Sequence, residues 1–224
     1  MRFREPPLAE PLPFSVEDFR RRISSRMGPL VEGVTSGDHM LNPEIADIYH
    51  AGERRPAAVL VPIVAREPEA TILFTLRTAG LRTHGGQIAF PGGRVDPEDA
   101  SVEAAALREA EEEIGLPASH VETLCRGPDY LIGSGYMIAP IIAAVRPGFT
   151  LRLNPAEVDD VFEVPLSFLM DPANHRMGSR VWQGYTRRVY EMPYEERFIW
   201  GATAGILRLL YERLYHDDPA ELSR

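Results

Sequence analysis

An α+β fold, with a mixed β-sheet lying between helices, is what this 224-residue sequence predicts, and three observations carry that reading. Apolar, β-branched runs of strand length recur at 57–64, 71–76 and 137–145. Helical periodicity marks two other stretches, 102–114 and 197–215. The two kinds of element are interspersed along the chain, as they are when helices cover a sheet and share its core. The length suits one sizeable core with terminal additions, so a single domain is expected over 1–224. Within it, 1–55 reads as an N-terminal extension, 56–165 as the core and 166–224 as closing elements.

Residues 1–12, rich in Pro and charge, read as an extended arm. Ser15 is placed to cap a helix that begins Val16-Glu17-Asp18-Phe19 and carries the run Arg20 to Arg22. That run reads as a solvated face, with phosphate contact as the alternative. From 28 to 55, scattered Gly, Pro and Asp suggest a cover over the core or a contact surface for a second copy, hence a homodimer. The runs at 57–64 and 71–76, separated by the turn-like Arg66-Glu67-Pro68-Glu69, read as paired strands. A Gly-rich loop at 78–87 then leads into a short strand at 88–90. For His84 in that loop, a structural role and ligand contact both stay open.

Downstream, 120–126 and 137–145 read as strands, the second too apolar for a sheet edge. The loop between them carries Tyr130 and Tyr136, which could stack on an adenine or close the core. An acidic loop at 154–160 precedes a strand at 161–165, and 166–170 reads as a short helix ended by Asp171-Pro172. A late hairpin is expected around Val181-Trp182 and Arg188-Val189-Tyr190. Ile199, Thr203, Ile206, Leu207, Leu210 and Leu214 then suggest one closing helix over 197–215.

Composition narrows the function. Hydrophobic content of 44% and charged content of 25% are those of an ordinary globular protein. No apolar run approaches the ~18 residues of a membrane span, and the N-terminus lacks the apolar core of a signal peptide, so no membrane is expected and the cytoplasm is the expected location. The net charge of −9 argues against bulk nucleic-acid binding. The lone Cys125 cannot form an internal disulfide and reads as a small core residue. All 24 basic residues are Arg, so each offers phosphate a planar, bidentate group.

The chemistry concentrates in 90–116, FPGGRVDPEDASVEAAALREAEEEIGL. After a Gly92-Gly93 turn comes a helix on which Glu109, Glu112 and Glu113 share one face. Like charges at that spacing repel, so a cation is expected among them. Val102, Ala106, Leu107, Ala110 and Ile114 form an apolar sector beside them, so the helix can pack on a core with its carboxylates along the rim. A hard divalent ion such as Mg²⁺ takes one or two carboxylates, waters and substrate phosphates. A solvated acidic run is the alternative, weakened by three acids standing in a last turn just before the C′ candidate Gly115.

Arg108-Glu109-Ala110-Glu111-Glu112-Glu113-Ile114-Gly115-Leu116 resembles the second half of the Nudix box, R-E-U-x-E-E-x-G-U with U apolar, at every specified position. The first half carries one extra residue: counting back from Arg108 puts its acid at Ala100, counting forward from Gly93 puts it at Asp99. That insertion, Asp96-Pro97-Glu98-Asp99, is similar to the coenzyme A pyrophosphatase branch of the family. So is the upstream run Leu73-Phe74-Thr75-Leu76-Arg77-Thr78 followed by Arg82, Gly86 and Phe90-Pro91-Gly92-Gly93, with Phe74 and Thr78 departing mildly from that branch's pattern.

The resemblance implies an αβα sandwich and a Mg²⁺- or Mn²⁺-dependent enzyme that cleaves coenzyme A, or its thioesters, at the diphosphate. It implies Glu109 and Glu113 as metal ligands and Glu112 as a third ligand or one acting through water. Arg108 would orient a box glutamate, and the Gly92-Gly93 turn would add a backbone carbonyl. The general base varies among members of the family; Glu157, in a loop before a strand, is the candidate here, with Glu112 or Glu109 as alternatives, and Arg77 and Arg82 would meet the substrate's phosphates. The rival readings are a broader nucleotide-diphosphate hydrolase acting on ADP-ribose, NADH or oxidised dNTPs, and a metal-free nucleotide-binding module.

Overall fold

Side chains on a strand alternate between faces, and here both faces of the main sheet are apolar, so each must be covered by helices. The computed structural model describes residues 10–27, 36–50, 52–81, 83–182 and 184–216. Most of the arm expected at 1–12 lies outside the described residues, as does part of the extension, 28–35.

The helix α1 (Val16–Arg26) opens on Ser15, whose hydroxyl accepts from the Asp18 amide at 3.2 Å. The extension continues through β1 (Ser36–Gly37), α2 (Asp38–Leu41) and α3 (Ala46–His50). Four strands follow, β2 (Arg55–Val64), β3 (Thr71–Arg77), β4 (Ile88–Ala89) and β5 (Gly92–Arg94), and then α4 (Val102–Ile114). Next come β6 (Val121–Arg126), β7 (Tyr130–Leu131), β8 (Tyr136–Val145), β9 (Val158–Pro165) and α5 (Leu166–Leu169). The chain closes with β10 (Arg176–Trp182), β11 (Tyr185–Tyr194), β12 (Arg197–Trp200) and α6 (Ala202–Leu214).

Strands β1 to β9 form one mixed sheet, and β10, β11 and β12 a separate antiparallel one. At the centre β2 and β8 run parallel, from Arg55 opposite Tyr136 to Val64 opposite Val145. Between β2 and β3 the pairing covers only Ile63 with Ile72 and Val64 with Thr71, after which the strands diverge. The space so opened beside β2 is taken by β5, with Gly93 opposite Ala58. On one face, Ala105, Ala106, Ala110 and Ile114 of α4 pack on Ala58, Leu60, Leu73 and Ala143. On the other, Phe19 of α1 and Leu207 and Leu210 of α6 pack on Val61, Ile63, Ile72 and Phe74. The expected α+β architecture, a mixed sheet between helices, is what the chain forms.

Several local expectations need correction. The closing helix begins at Ala202 instead of Arg197, because Ile199 pairs with Met192 in β12 and Gly201 turns the chain at φ 64°. Ile199 stands four residues before Thr203, so a buried strand position imitated a helical repeat. Strand β9 starts at Val158, hidden at sequence level by Asp159 and Asp160. Gly92-Gly93 is extended strand, not a turn. Tyr130 is 3% exposed and its hydroxyl donates to the buried Asp38 carboxylate at 2.8 Å, so it closes the core and offers no stacking face. Cys125 is half-buried beside the core, where burial pushes its thiol up to about 11.

Candidate active site

The helix α4 sits close to the sheet because its buried face is largely alanine and because Gly92 and Gly93 lie beneath its acidic rim. A Cβ on Gly92 would run into the Ala58 carbonyl, and one on Gly93 would run into the Glu109 carboxylate. Glycine at 92 lets β5 lie against the backbone of β2, and glycine at 93 leaves the Glu109 carboxylate its place over the strand. Gly115, at φ 67°, ends α4 in the left-handed conformation, as its position after Ile114 predicts.

Arg108 organises the rim. Its Nε and Nη2 donate to the two oxygens of Asp99 at 3.0 and 2.9 Å, the fork geometry that suits guanidinium and carboxylate. Nη1 donates to Glu109 at 3.1 Å and Glu112 at 3.0 Å, and Nη2 also reaches the Arg94 carbonyl at 3.1 Å. Asp99 is thus the acid that the extra residue displaced, and Ala100 is not. Hydrogen bonds from Arg108, and then from the Asp96 amide, hold the Asp99 carboxyl below its usual range. The cation expected among the glutamates is supplied in part by the protein itself.

Glu113 is held differently. Its side chain is 2% exposed, accepting from the Gly92 amide at 3.1 Å and from Arg77 Nη1 at 3.2 Å. Desolvation pushes its carboxyl up to about 7 against these two partners, with Glu109 and Glu157 adding like-charge repulsion. Burial likewise raises Glu109, which feels both Glu112 and Glu157. Glu157 is therefore electrostatically part of the cluster, although it comes from the loop before β9. Asn154 anchors that loop: its amide donates to the Glu113 carbonyl at 2.8 Å and its Nδ2 to Glu157 at 3.3 Å.

The structure brings Arg77, Gly92, Gly93, Arg108, Glu109, Glu113 and Glu157 together, with Glu112 at the outer edge, its side chain 59% exposed. Arg82 lies outside the described residues. A register shift between Leu76 and Arg77 marks the point where β3 delivers Arg77 to Glu113. The Gly92 backbone contributes its N–H to Glu113. His84 pairs with Gln87 at 3.0 Å inside its own loop. Arg20 is engaged by Glu122, and Arg21 and Arg22 by Asp18. Sequence reasoning passed over Asp99 and Asn154 as site residues. The one-residue insertion was the available signal for Asp99, and nothing local marked Asn154.

Among the described residues, no three acidic, His or Cys side chains are gathered into a ready-made metal cage. The donor chemistry nonetheless fits a hard divalent cation: Glu109 and Glu113 are oxygen donors at a rim left uncrowded by the missing Cβ of Gly93. A buried carboxyl pushed up to about 7 among like charges would regain its charge on binding one.

Comparison with known proteins agrees with this geometry. The NUDIX domain family matches residues 54–182. The protein named "Uncharacterized Nudix hydrolase NudL" in Photorhabdus laumondii is 43% identical over 160 residues, spanning 71% of this chain and 85% of that one. Its namesake in Yersinia pestis (strain Pestoides F) is 42% identical over 166 residues, 74% of this chain and 83% of that one. The crystal structure of a Nudix hydrolase from M. smegmatis, RenU, covers 51% of this chain and 72% of its own at 26% identity and a TM-score of 0.40. With its acidic rim on α4, this chain belongs to the Nudix hydrolases and is a pyrophosphohydrolase.

Proposed function

We propose that the chain hydrolyses the diphosphate of coenzyme A or its thioesters, giving 4′-phosphopantetheine (or its acyl form) and adenosine 3′,5′-bisphosphate. The single observation that carries this reading is the Asp96-Pro97-Glu98-Asp99 insertion, a resemblance to the coenzyme A branch in which Asp99, one residue late, takes the fork of Arg108. The upstream run from Leu73 to Arg77 supports it.

Nudix hydrolases generally use divalent metal ions, and Glu109, Glu113 and Glu112 would hold one here, Mg²⁺ or Mn²⁺. Such an ion neutralises charge on the diphosphate oxygens and favours ionisation of water. The chain's own residues do the rest. Arg108 fixes Glu109 and Glu112 from one side, and Arg77 with the Gly92 amide fixes Glu113 from the other. Water attacks one phosphorus, the bridging P–O bond breaks, and the electron pair leaves with the departing phosphate. Glu157 accepts the attacking water's proton, with Glu112 or Glu109 as alternatives. Arg77 holds Glu113 through Nη1, and Arg77 and Arg82 are the residues proposed to meet the substrate's phosphates.

The test is a panel of coenzyme A, its 3′-dephospho form, ADP-ribose and NADH, with products identified by mass. The reading expects coenzyme A to have the highest kcat/KM and to release adenosine 3′,5′-bisphosphate. Preference for ADP-ribose would leave the Nudix chemistry in place and overturn the substrate.

A further inference from the structure

We infer that Arg55 and Arg94, set on either side of Tyr136, form a subsite for a phosphomonoester on the nucleotide half of the substrate. Three neighbouring strands build it. Register places Arg55 opposite Tyr136 across β2 and β8, and Arg94 opposite Ala57 across β5 and β2. Arg55, Ala57, Arg94 and Tyr136 therefore share one face of the sheet. The Arg55 guanidinium lies 4.0 Å from the Tyr136 ring centroid. Arg94 Nε donates to the Tyr136 hydroxyl at 2.9 Å, with its guanidinium carbon 5.8 Å from the same centroid. Arg55 is further tied by Nη2 to the Ser134 carbonyl.

In a chain of net charge −9, Arg66, Arg77, Arg108, Arg126 and Arg197 all sit on carboxylates. Arg55 and Arg94 are exposed, and among the described residues neither has an acidic partner. Two like charges brought to one ring without a counterion repel, and the tyrosine offsets that repulsion only in part through its π-face and hydroxyl. Each guanidinium keeps N–H groups free for an anion, and two such forks suit a dianionic phosphate monoester better than the singly charged oxygens of a diphosphate bridge.

The cluster adjoins the reacting centre. Arg94 directly follows Gly93, which touches Glu109, and the Arg94 carbonyl accepts from Arg108. Among the described residues, β5 is paired with β2 alone. Successive residues of β5 face opposite sides, so Gly93 faces Glu109 on the α4 side and Arg94 the other, one residue from the reacting centre. The inference rests on the coenzyme A reading, whose substrate carries one phosphomonoester besides the diphosphate.

The test compares kcat/KM for coenzyme A with that for its 3′-dephospho form in Arg55→Ala, Arg94→Ala and Tyr136→Phe. The ratio of the two does not depend on how much of a variant is folded. Each Arg→Ala change should lower it about tenfold, as loss of a charge-assisted contact does. Arg→Lys should restore part of it, and Tyr136→Phe, which only releases Arg94, should lower it less. Calorimetry then compares adenosine 3′,5′-bisphosphate with AMP, and the wild type should prefer the former by a margin that Arg94→Ala erases. An unchanged ratio, or equal losses on both substrates, would overturn the subsite. A wild type inactive on coenzyme A that still prefers the bisphosphate would sink the substrate reading and leave the subsite standing.

Discussion

The two faces of the main sheet are packed by different means. Against α4 the helix side of the contact is thin, Ala105, Ala106 and Ala110 beside Ile114, and it meets Ala58, Leu60, Leu73 and Ala143 on the sheet. Against α1 and α6 it is thick, built from Phe19, Ile63, Phe74, Leu207 and Leu210. Thin packing brings the carboxylates of α4 down to Gly92 and Gly93, where burial and mutual repulsion raise Glu109 and Glu113. The thick face supplies the apolar burial that holds such a cluster in place. Chemistry and stability should therefore respond to substitution on opposite sides of one sheet.

The largest effect on turnover is expected from Glu113→Gln, which keeps shape and removes a charge needed by the cation. A rate loss of about a thousandfold is expected with the fold retained, as read by circular dichroism and thermal melting. A large loss of stability instead would make Glu113 a structural residue. Gly93→Ala comes next: its methyl displaces the Glu109 carboxylate, and misplacement on that scale costs about a hundredfold. Normal kcat would show that Glu109 need not sit against β5.

Asp99→Ala leaves the fork of Arg108 half empty, so about a ten- to hundredfold loss of activity or metal affinity is expected. Ala100→Asp should not rescue it, because it is Asp99 that meets Arg108. On the thick face, Leu207→Ala should have the smallest effect on chemistry and the largest on stability. Unfolding free energy should fall by about 2–5 kcal/mol, read by urea denaturation, while kcat per folded molecule holds. A matching drop in kcat would mean that the faces are not independent.

These contrasts also show what was legible in the sequence. The Ser15 cap, the Gly115 stop and the alternating apolar runs are local signals, read by rules that need only neighbours in the chain. The spacing of Glu109, Glu112 and Glu113 is local too, and so was their shared face. What escaped depended on distant partners. Ile199 looked helical until Met192 paired with it across the hairpin, and Tyr130 looked available until Asp38, 92 residues away, took its hydroxyl. The contact of Arg77 with Glu113, 36 residues along the chain on α4, was not legible either. Gly92-Gly93 suggested a turn because glycine serves turns, whereas the demand came from the β2 backbone beside Gly92 and the Glu109 carboxylate over Gly93.

The most direct measurement is a calorimetric titration of the substrate-free protein with Mn²⁺, comparing wild type with the double variant Glu109→Gln, Glu113→Gln. Saturable binding should appear in the wild type and vanish in the variant, whose cooperative thermal unfolding shows that it is folded. Equal Mn²⁺ affinity in both proteins would contradict the assignment of the α4 rim as the metal-holding, reacting centre of this enzyme.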